Sequence, residues 1–191
     1  MKKIYFSFLL LVLSLILIGC STNDNNTTSY NTAKLSVLKP APKVLYSFST
    51  QILDKDPARQ NNIKLTCESL SGTIVKSGST FSFCDTVGKA TPERGYQEAK
   101  IFDADGNVTQ GLGGGNCQVS STLYNAVLQD SNFEIIERHP HAQRVYYVEE
   151  GKDAAVACGS VDFKFKNNNS FDIRIVASSD ENYVYIDIVK I

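Results

Sequence analysis

One cysteine stands where a nucleophile gains reactivity, two residues after a run of three glycines and at the start of a helical pattern. Residues 113–118 read GGGNCQ, with Cys117 in fifth place. The first amides of a helix lack intrahelical acceptors and carry partial positive charge, so they stabilise a thiolate, the nucleophilic form of cysteine. Gly114 and Gly115 would allow a sharp turn and the close approach of a substrate. The same amides, with Gln118, would hold a developing oxyanion.

A nucleophilic cysteine usually works with a base and with a residue that orients the base. Both histidines of the chain, His139 and His141, follow Cys117, and Asp153 comes after them. Asp162 is a second candidate for the orienting carboxylate. The order cysteine, histidine, aspartate matches that of papain-like and transglutaminase-like thiol acyl-transfer enzymes. The alternatives are a structural cysteine, histidines that simply lie in a loop, and an aspartate that belongs to a turn.

The composition of the chain excludes several classes of function. Its 191 residues carry 19 Lys and Arg against 20 Asp and Glu, a net charge of −1, so no surplus of cations is available to neutralise nucleic-acid phosphates. Two histidines cannot form a histidine-rich metal site, and no Gly-Lys-Ser/Thr follows the glycine run. We therefore expect no metal, no cofactor and no nucleic-acid partner.

The first 43 residues have the pattern of an export signal followed by a tether. Residues 1–19 combine two lysines, an apolar run and a small residue, as in a signal peptide. The sequence LIGC at 17–20 resembles a bacterial lipobox, which implies lipid attachment to Cys20; the alternative is a single transmembrane anchor. Residues 20–43 read as a flexible tether. The protein is therefore expected outside the cytoplasm, anchored to the bacterial membrane by its lipid, with one folded domain over 44–191.

The sequence of this domain predicts the α+β class, with two helices packed on a largely antiparallel sheet. The first helix is expected over 54–70, capped by Asp56 with Pro57 behind it, and the second over 118–129. The glycine-rich stretch 103–115 is predicted to be a loop. Alternating patterns predict strands over 44–50, two within 73–83, and others over 133–138, 143–148, 154–157, 161–166, 171–177 and 183–189.

Three spaced motifs make the domain recognisable. They are GGGNCQVSSTLYNA at 113–126, ERHPH at 137–141 and GKDAAV at 151–156. Together with RQNNI at 59–63 and Tyr147, they resemble the VanW domain. The resemblance implies peptidoglycan L,D-transpeptidation, in which a cysteine acyl-enzyme forms 3–3 cross-links between stem peptides.

The resemblance also implies roles by position. Cys117 would be the nucleophile. His141 would be the base, because the family more regularly keeps the second histidine of this motif, and His139 is its competitor. Asp153 matches the family's aspartate in the Gly-x-Asp-Ala stretch. Arg138 matches the arginine before the histidines, where it would grip a substrate carboxylate or pair with a structural acid.

The implied reaction has two halves. The Cys117 thiolate attacks the carbonyl of the third stem residue and expels the terminal D-amino acid. A neighbouring stem's side-chain amine then resolves the thioester, with His141 first donating and later accepting a proton. The alternatives are a thiol hydrolase or carboxypeptidase, in which water replaces the amine, and a non-catalytic lipoprotein that binds the cell wall. The expected partners are peptidoglycan stem peptides, and the protein is expected to be a monomer.

Three further cysteines have no part in this chemistry. Cys67 lies on the apolar face of the first predicted helix and is expected in the core. Cys84 and Cys158 could form a disulfide, but the sequence does not decide whether they do.

Overall fold

A four-stranded antiparallel sheet forms the main layer of the part of the chain that the computed structural model describes, residues 42–103 and 105–191. In spatial order its strands are β1 (Lys43–Gln51), β9 (Tyr183–Lys190), β8 (Ile173–Ser179) and β2 (Ile74–Val75). Alternate residues of β8 and β9, among them Ile175, Ile186 and Ile188, are fully buried. This period of two is typical of a sheet that is covered on one face.

Two long helices cover the buried face of this sheet. α1 (Pro57–Leu70) packs on β8, α3 (Asn116–Val127) packs on β1 and β9, and the two helices contact each other. α1 begins as the sequence predicts, because the Asp56 side chain accepts a hydrogen bond from the Arg59 amide at 3.1 Å. The apolar faces of both helices join the sheet in one hydrophobic core.

A second antiparallel sheet adds aromatic side chains to the same core. Its strands, in spatial order, are β3 (Thr80–Ser82), β7 (Lys164–Asn167) and β6 (Phe133–Glu137). The Phe165 ring stands 5.0 Å from the Phe81 ring and 5.5 Å from the Phe133 ring, measured between centroids. The α+β class is confirmed, although the strands divide into separate sheets.

A third helix within the described residues differs from the prediction. α2 (Phe83–Val87) begins at the end of a stretch in which the sequence pattern predicts strands. The Ser82 hydroxyl accepts from the Asp85 amide at 3.0 Å, and the Asp162 carboxylate accepts from the Cys84 amide at 2.9 Å. The second of these caps is distant in sequence, so the local pattern does not reveal it. A single 3-10 turn follows at Pro92–Arg94.

Part of the stretch predicted as a loop, 103–115, is a strand. β4 (Glu98–Phe102) and β5 (Val108–Leu112) form an antiparallel hairpin. Asp103 closes its turn by accepting from the Asp105 amide at 3.0 Å. β5 is exposed along most of its length, so it carries no apolar alternation by which the sequence could have revealed it.

The strands predicted over 143–148 and 154–157 are wrong. The first stretch is irregular, and the second takes part only in the isolated bridges His139–Ala155 and Ala157–Val161. Residues 154–157 form no strand because Val156 directs its main-chain N–H and C=O to the Cys117 side chain instead of a neighbouring strand.

The predictions of a signal peptide over 1–19, of lipidation at Cys20 and of a tether over 20–43 fall outside the described residues, apart from the last two tether residues. Among the residues that are described, no helix has both the length and the apolar character needed to cross a membrane.

Candidate active site

Cys117 is the second residue of α3 and lies in its first turn. Gly115 is the N-cap, with a φ of 113° that favours glycine. The Val156 amide donates to Cys117 Sγ at 3.4 Å, and the thiol donates to the Val156 carbonyl at 3.4 Å. The thiol is partly exposed, whereas that of Cys67 is buried. The candidate nucleophile is therefore held between a helix start and the main chain of 154–157.

The glycines before Cys117 are explained by the packing of their loop. A Cβ on Gly114 would lie 2.8 Å from the Ala99 side chain, and a Cβ on Gly115 would lie 2.7 Å from that of Ile63. The buried Asn62 side chain also donates to the Gly114 carbonyl at 3.2 Å. α1 and β4 thus fill the space beside both glycines, which the sequence interpretation reserved for a substrate.

His141 and Asp153 form a tightly bonded pair. Asp153 Oδ2 accepts from the His141 amide at 2.7 Å and lies 2.6 Å from the ring Nδ1. Their side chains are only 7% and 10% exposed. An ionised carboxylate only accepts hydrogen bonds, so Nδ1 carries a proton and Nε2 of the neutral ring is left to accept one.

A single antiparallel bridge explains why these two residues meet. The Ala155 amide donates to the His139 carbonyl at 2.9 Å. In antiparallel pairing, the residue two places after His139 lies opposite the residue two places before Ala155. The bridge therefore places His141 opposite Asp153.

The Cys117 thiol also acts on the His141 ring. Burial alone would lower the pKa of His141, but the interaction with the Cys117 thiol, together with the hydrogen bond and charge of Asp153, outweighs burial and raises that pKa. Burial would raise the pKa of Asp153, but hydrogen bonds from His141 and the charges of His141 and Arg138 lower it. The pKa values of the pair therefore shift in opposite directions, that of His141 upward and that of Asp153 downward.

The Arg138 guanidinium is bound to Asp153. Nη2 lies 2.6 Å from Asp153 Oδ1, and Nε donates to the Asp153 carbonyl at 2.6 Å. The guanidinium also stands 5.6 Å from the centroid of the Tyr124 ring. Of the two predicted roles, the structure shows the pairing with a structural acid, and this pairing holds the carboxylate that orients His141.

His139, the competing candidate for the base, and Asp162, the competing candidate for the orienting carboxylate, both bind other groups. The side chain of His139 is 46% exposed, and its Nε2 lies 3.1 Å from a Glu137 oxygen. Asp162 accepts from the Ser82 hydroxyl at 2.6 Å at the start of α2. Asp153, and not Asp162, is the carboxylate beside His141.

The side chain of Gln118 does not serve an oxyanion as the sequence predicts. Its Nε2 donates to the Thr50 hydroxyl at 3.1 Å and to the Gln51 carbonyl at 2.9 Å, and its Oε1 accepts from Arg59 Nη2 at 2.9 Å. The residue is 1% exposed. Both amide hydrogens and the oxygen are used within the fold, so Gln118 connects α3 to β1 and α1.

The disulfide that the sequence left open is present between Cys84 and Cys158. Cys158 follows Val156 by two residues, so the bond ties the main chain that contacts the Cys117 thiol to α2. Cys67 is free and buried, and burial raises the pKa of its thiol to about 12.

Three residues around the segment of Cys117 receive no role from the sequence. Ser121 Oγ donates to the Cys117 carbonyl at 2.7 Å and accepts from the Ala154 amide at 2.9 Å. Burial and the charge of Cys117 raise the pKa of Tyr147, and Arg59 holds Gln118. Ser121 lies one helical turn after Cys117, and Arg59 and Tyr147 are among the residues that carry the family resemblance. The sequence position of each could therefore have indicated a role at the site.

Known proteins resemble most of the described domain. A family model described as VanW like protein matches residues 58–189. The uncharacterized protein YoaR of Bacillus subtilis (strain 168) is 38% identical over 133 residues, which cover 70% of this chain and 43% of that protein. The vancomycin B-type resistance protein VanW of Enterococcus faecalis (strain ATCC 700802 / V583) is 30% identical over 128 residues, covering 64% and 46% respectively. The chain thus spans less than half the length of these curated relatives. No solved structure matches significantly.

Proposed function

The chain belongs to the VanW-like family, and from this premise we propose that it is a cell-wall enzyme, an L,D-transpeptidase that forms 3–3 cross-links through a thioester on Cys117. A link to the cell wall is supported by the printed name of its Enterococcus relative, a vancomycin resistance protein. The observation that carries the reaction type is a cysteine in the first turn of α3 that acts on the pKa of His141, whose ring is bonded to Asp153.

Acylation begins with transfer of the Cys117 thiol proton to Nε2 of His141. The thiolate then attacks the carbonyl carbon of the third stem residue, and the carbonyl electrons move onto oxygen. When the tetrahedral intermediate collapses, the C–N bond to the terminal D-amino acid breaks and His141 returns its proton to the leaving amine. Asp153 stabilises the imidazolium that exists between these two transfers.

The amide of Cys117 is the donor best placed for the oxyanion. The next residues of the first turn, Gln118 and Val119, donate their amides to the Gly115 carbonyl, and the Asn116 amide donates to the Gly113 carbonyl. Within the described ranges, the Cys117 amide has no such acceptor. It therefore combines an unused hydrogen with the partial positive charge of the helix start.

Deacylation repeats the chemistry with a new nucleophile. The side-chain amine of a second stem gives a proton to His141 and attacks the thioester carbonyl. The C–S bond breaks, the thiolate recovers the proton, and an amide joins the two stems. The partly exposed position of Cys117 allows the second stem to approach.

The test is muropeptide analysis with the full-length protein. We expect stem dimers joined between third residues, and a stem-derived adduct on Cys117 in the intact mass. Cys117→Ala should abolish both. Cys67→Ala, which removes the buried thiol of α1, is the matched control and should keep activity.

The product pattern separates the alternatives. Shortened monomers without dimers would indicate a hydrolase or carboxypeptidase with the same thioester. Wild-type protein that binds stems but leaves the same muropeptides as Cys117→Ala would overturn the catalytic proposal in favour of a non-catalytic wall-binding protein.

A further inference from the structure

Arg59 places a cation beside the segment that carries the nucleophile. It is the third residue of α1, and its carbonyl oxygen lies 3.2 Å from the point that a Cβ on Gly115 would occupy. Its Nη2 donates to Oε1 of Gln118 at 2.9 Å, and Gln118 follows Cys117 directly. The guanidinium is therefore fixed next to the first turn of α3.

The charge of this guanidinium is not balanced by an acid. Within residues 42–103 and 105–191, every ion pair with atoms 4.0 Å or less apart involves other cations, and none involves Arg59. The group that does bind it, the Gln118 amide, is neutral. Arg59 Nε is buried and has no hydrogen-bond partner. Buried donors are nearly always satisfied in proteins, so an unsatisfied one needs an explanation.

Arg138 differs from Arg59 because it is paired with an acid. Both arginines lie near the candidate active site, but Arg138 binds Asp153 through two hydrogen bonds. Arg59 retains donors that no carboxylate of the described chain occupies. A planar guanidinium with unused donors is suited to bind a carboxylate from outside.

The Tyr147 hydroxyl is influenced by both this cation and the thiol. The charges of both Arg59 and Cys117 act on the Tyr147 hydroxyl, the first lowering its pKa and the second raising it.

We propose that Arg59 binds the terminal carboxylate of the donor stem peptide, on the leaving-group side of Cys117. This deepens the proposed function and rests on it for the identity of the ligand. A four-residue stem that is cut at the carbonyl of its third residue carries its terminal carboxylate on the residue that leaves. A cation beside the nucleophile therefore selects stems that end one residue beyond the scissile bond. Longer stems would place their carboxylate outside this site.

The test measures binding, so that it does not depend on turnover. Full-length Cys117→Ala protein is titrated with a four-residue stem peptide that has a free terminal carboxylate, and with the same peptide as its terminal amide. We expect the amide to bind roughly tenfold more weakly or worse, the size of effect typical of a charge-assisted hydrogen bond. Adding Arg59→Gln should weaken binding of the carboxylate peptide to the level of the amide and leave the amide unchanged.

Two further variants keep the test decisive. Arg59→Lys retains the charge and should retain part of the preference, even if Arg59→Gln fails to fold. Arg174→Gln, which removes an arginine from the outer face of β8, should change nothing. Equal affinity for the two peptides, binding of neither, or a preference that survives Arg59→Gln would overturn the proposal. Failure of the transpeptidase proposal would be seen separately, as missing turnover by a protein that still prefers the carboxylate.

Discussion

Asp153 holds His141 at two points with one carboxylate oxygen, at 2.7 Å from the main-chain nitrogen and 2.6 Å from ring Nδ1. The amide contact fixes where the backbone stands, and the ring contact fixes the tautomer and the direction of Nε2. The other oxygen binds Arg138 at 2.6 Å. The orientation of the His141 ring is therefore fixed by the chain itself.

The two histidines should differ sharply in their effect on activity. His141→Ala should lower transpeptidation roughly 10²- to 10⁴-fold, because it removes the group that we propose as the general base. His139→Ala should have little effect, since that ring is half exposed and pairs with Glu137. Initial rates of dimer formation measure both. The reverse ranking would show that His139 is the base.

The pKa of His141 should lie above its ordinary value and should fall in Asp153→Asn. The charge of Asp153 stabilises the protonated ring, so removing that charge lets the ring lose its proton at lower pH. The chain has two histidines, so two sets of ring C–H signals can be followed by NMR and assigned with His139→Gln.

The control for this titration is Asp162→Asn. Asp162 binds the start of α2, so its substitution should leave the His141 midpoint in place. A His141 midpoint that is insensitive to Asp153→Asn would contradict the assignment of Asp153 as the orienting carboxylate.

Alkylation under native conditions should modify Cys117 and spare Cys67. The thiol of Cys117 is partly exposed at a helix start, whereas burial raises the pKa of Cys67 to about 12 and hides it from reagents. Iodoacetamide treatment followed by peptide mass mapping measures both sites. Cys67 should react only after denaturant is added, and labelling of Cys67 before Cys117 would argue against this arrangement.

Loss of the Cys84–Cys158 disulfide should destabilise the domain. The two cysteines are 74 residues apart, and a cross-link of that span restricts the unfolded chain by about 4 kcal/mol in the chain-entropy account. The Cys84→Ser, Cys158→Ser double variant should unfold at lower denaturant concentration than wild type, as measured by circular dichroism. The addition of reductant to wild type should reproduce the shift, and an unchanged midpoint in both experiments would refute the prediction.

Features with local causes could be predicted from the sequence. The start of α1 follows from the Asp56 cap and Pro57, which act within one helical turn. The position of Cys117 at a helix start follows from the glycines and the apolar periodicity behind them. The buried faces of β8 and β9 follow from their alternation.

Features that depend on distant residues could not be predicted. The choice between Asp153 and Asp162 is decided by the bridge between His139 and Ala155, and the register of a one-residue bridge leaves no trace in composition. α2 depends on a cap from Asp162, which is far along the chain. The hydrogen bonds of the Gln118 side chain within the fold could not be predicted, because partners such as Thr50 lie on a strand nearly 70 residues earlier.

The contacts that Val156 makes with the Cys117 sulfur come from its main chain, and every amino acid except proline offers the same N–H and C=O. A substitution at position 156 should therefore be limited by the fit of the new side chain against the core, and should leave the surroundings of the sulfur unchanged. Proline is the exception, because it would withdraw the one hydrogen that this segment donates to the thiol.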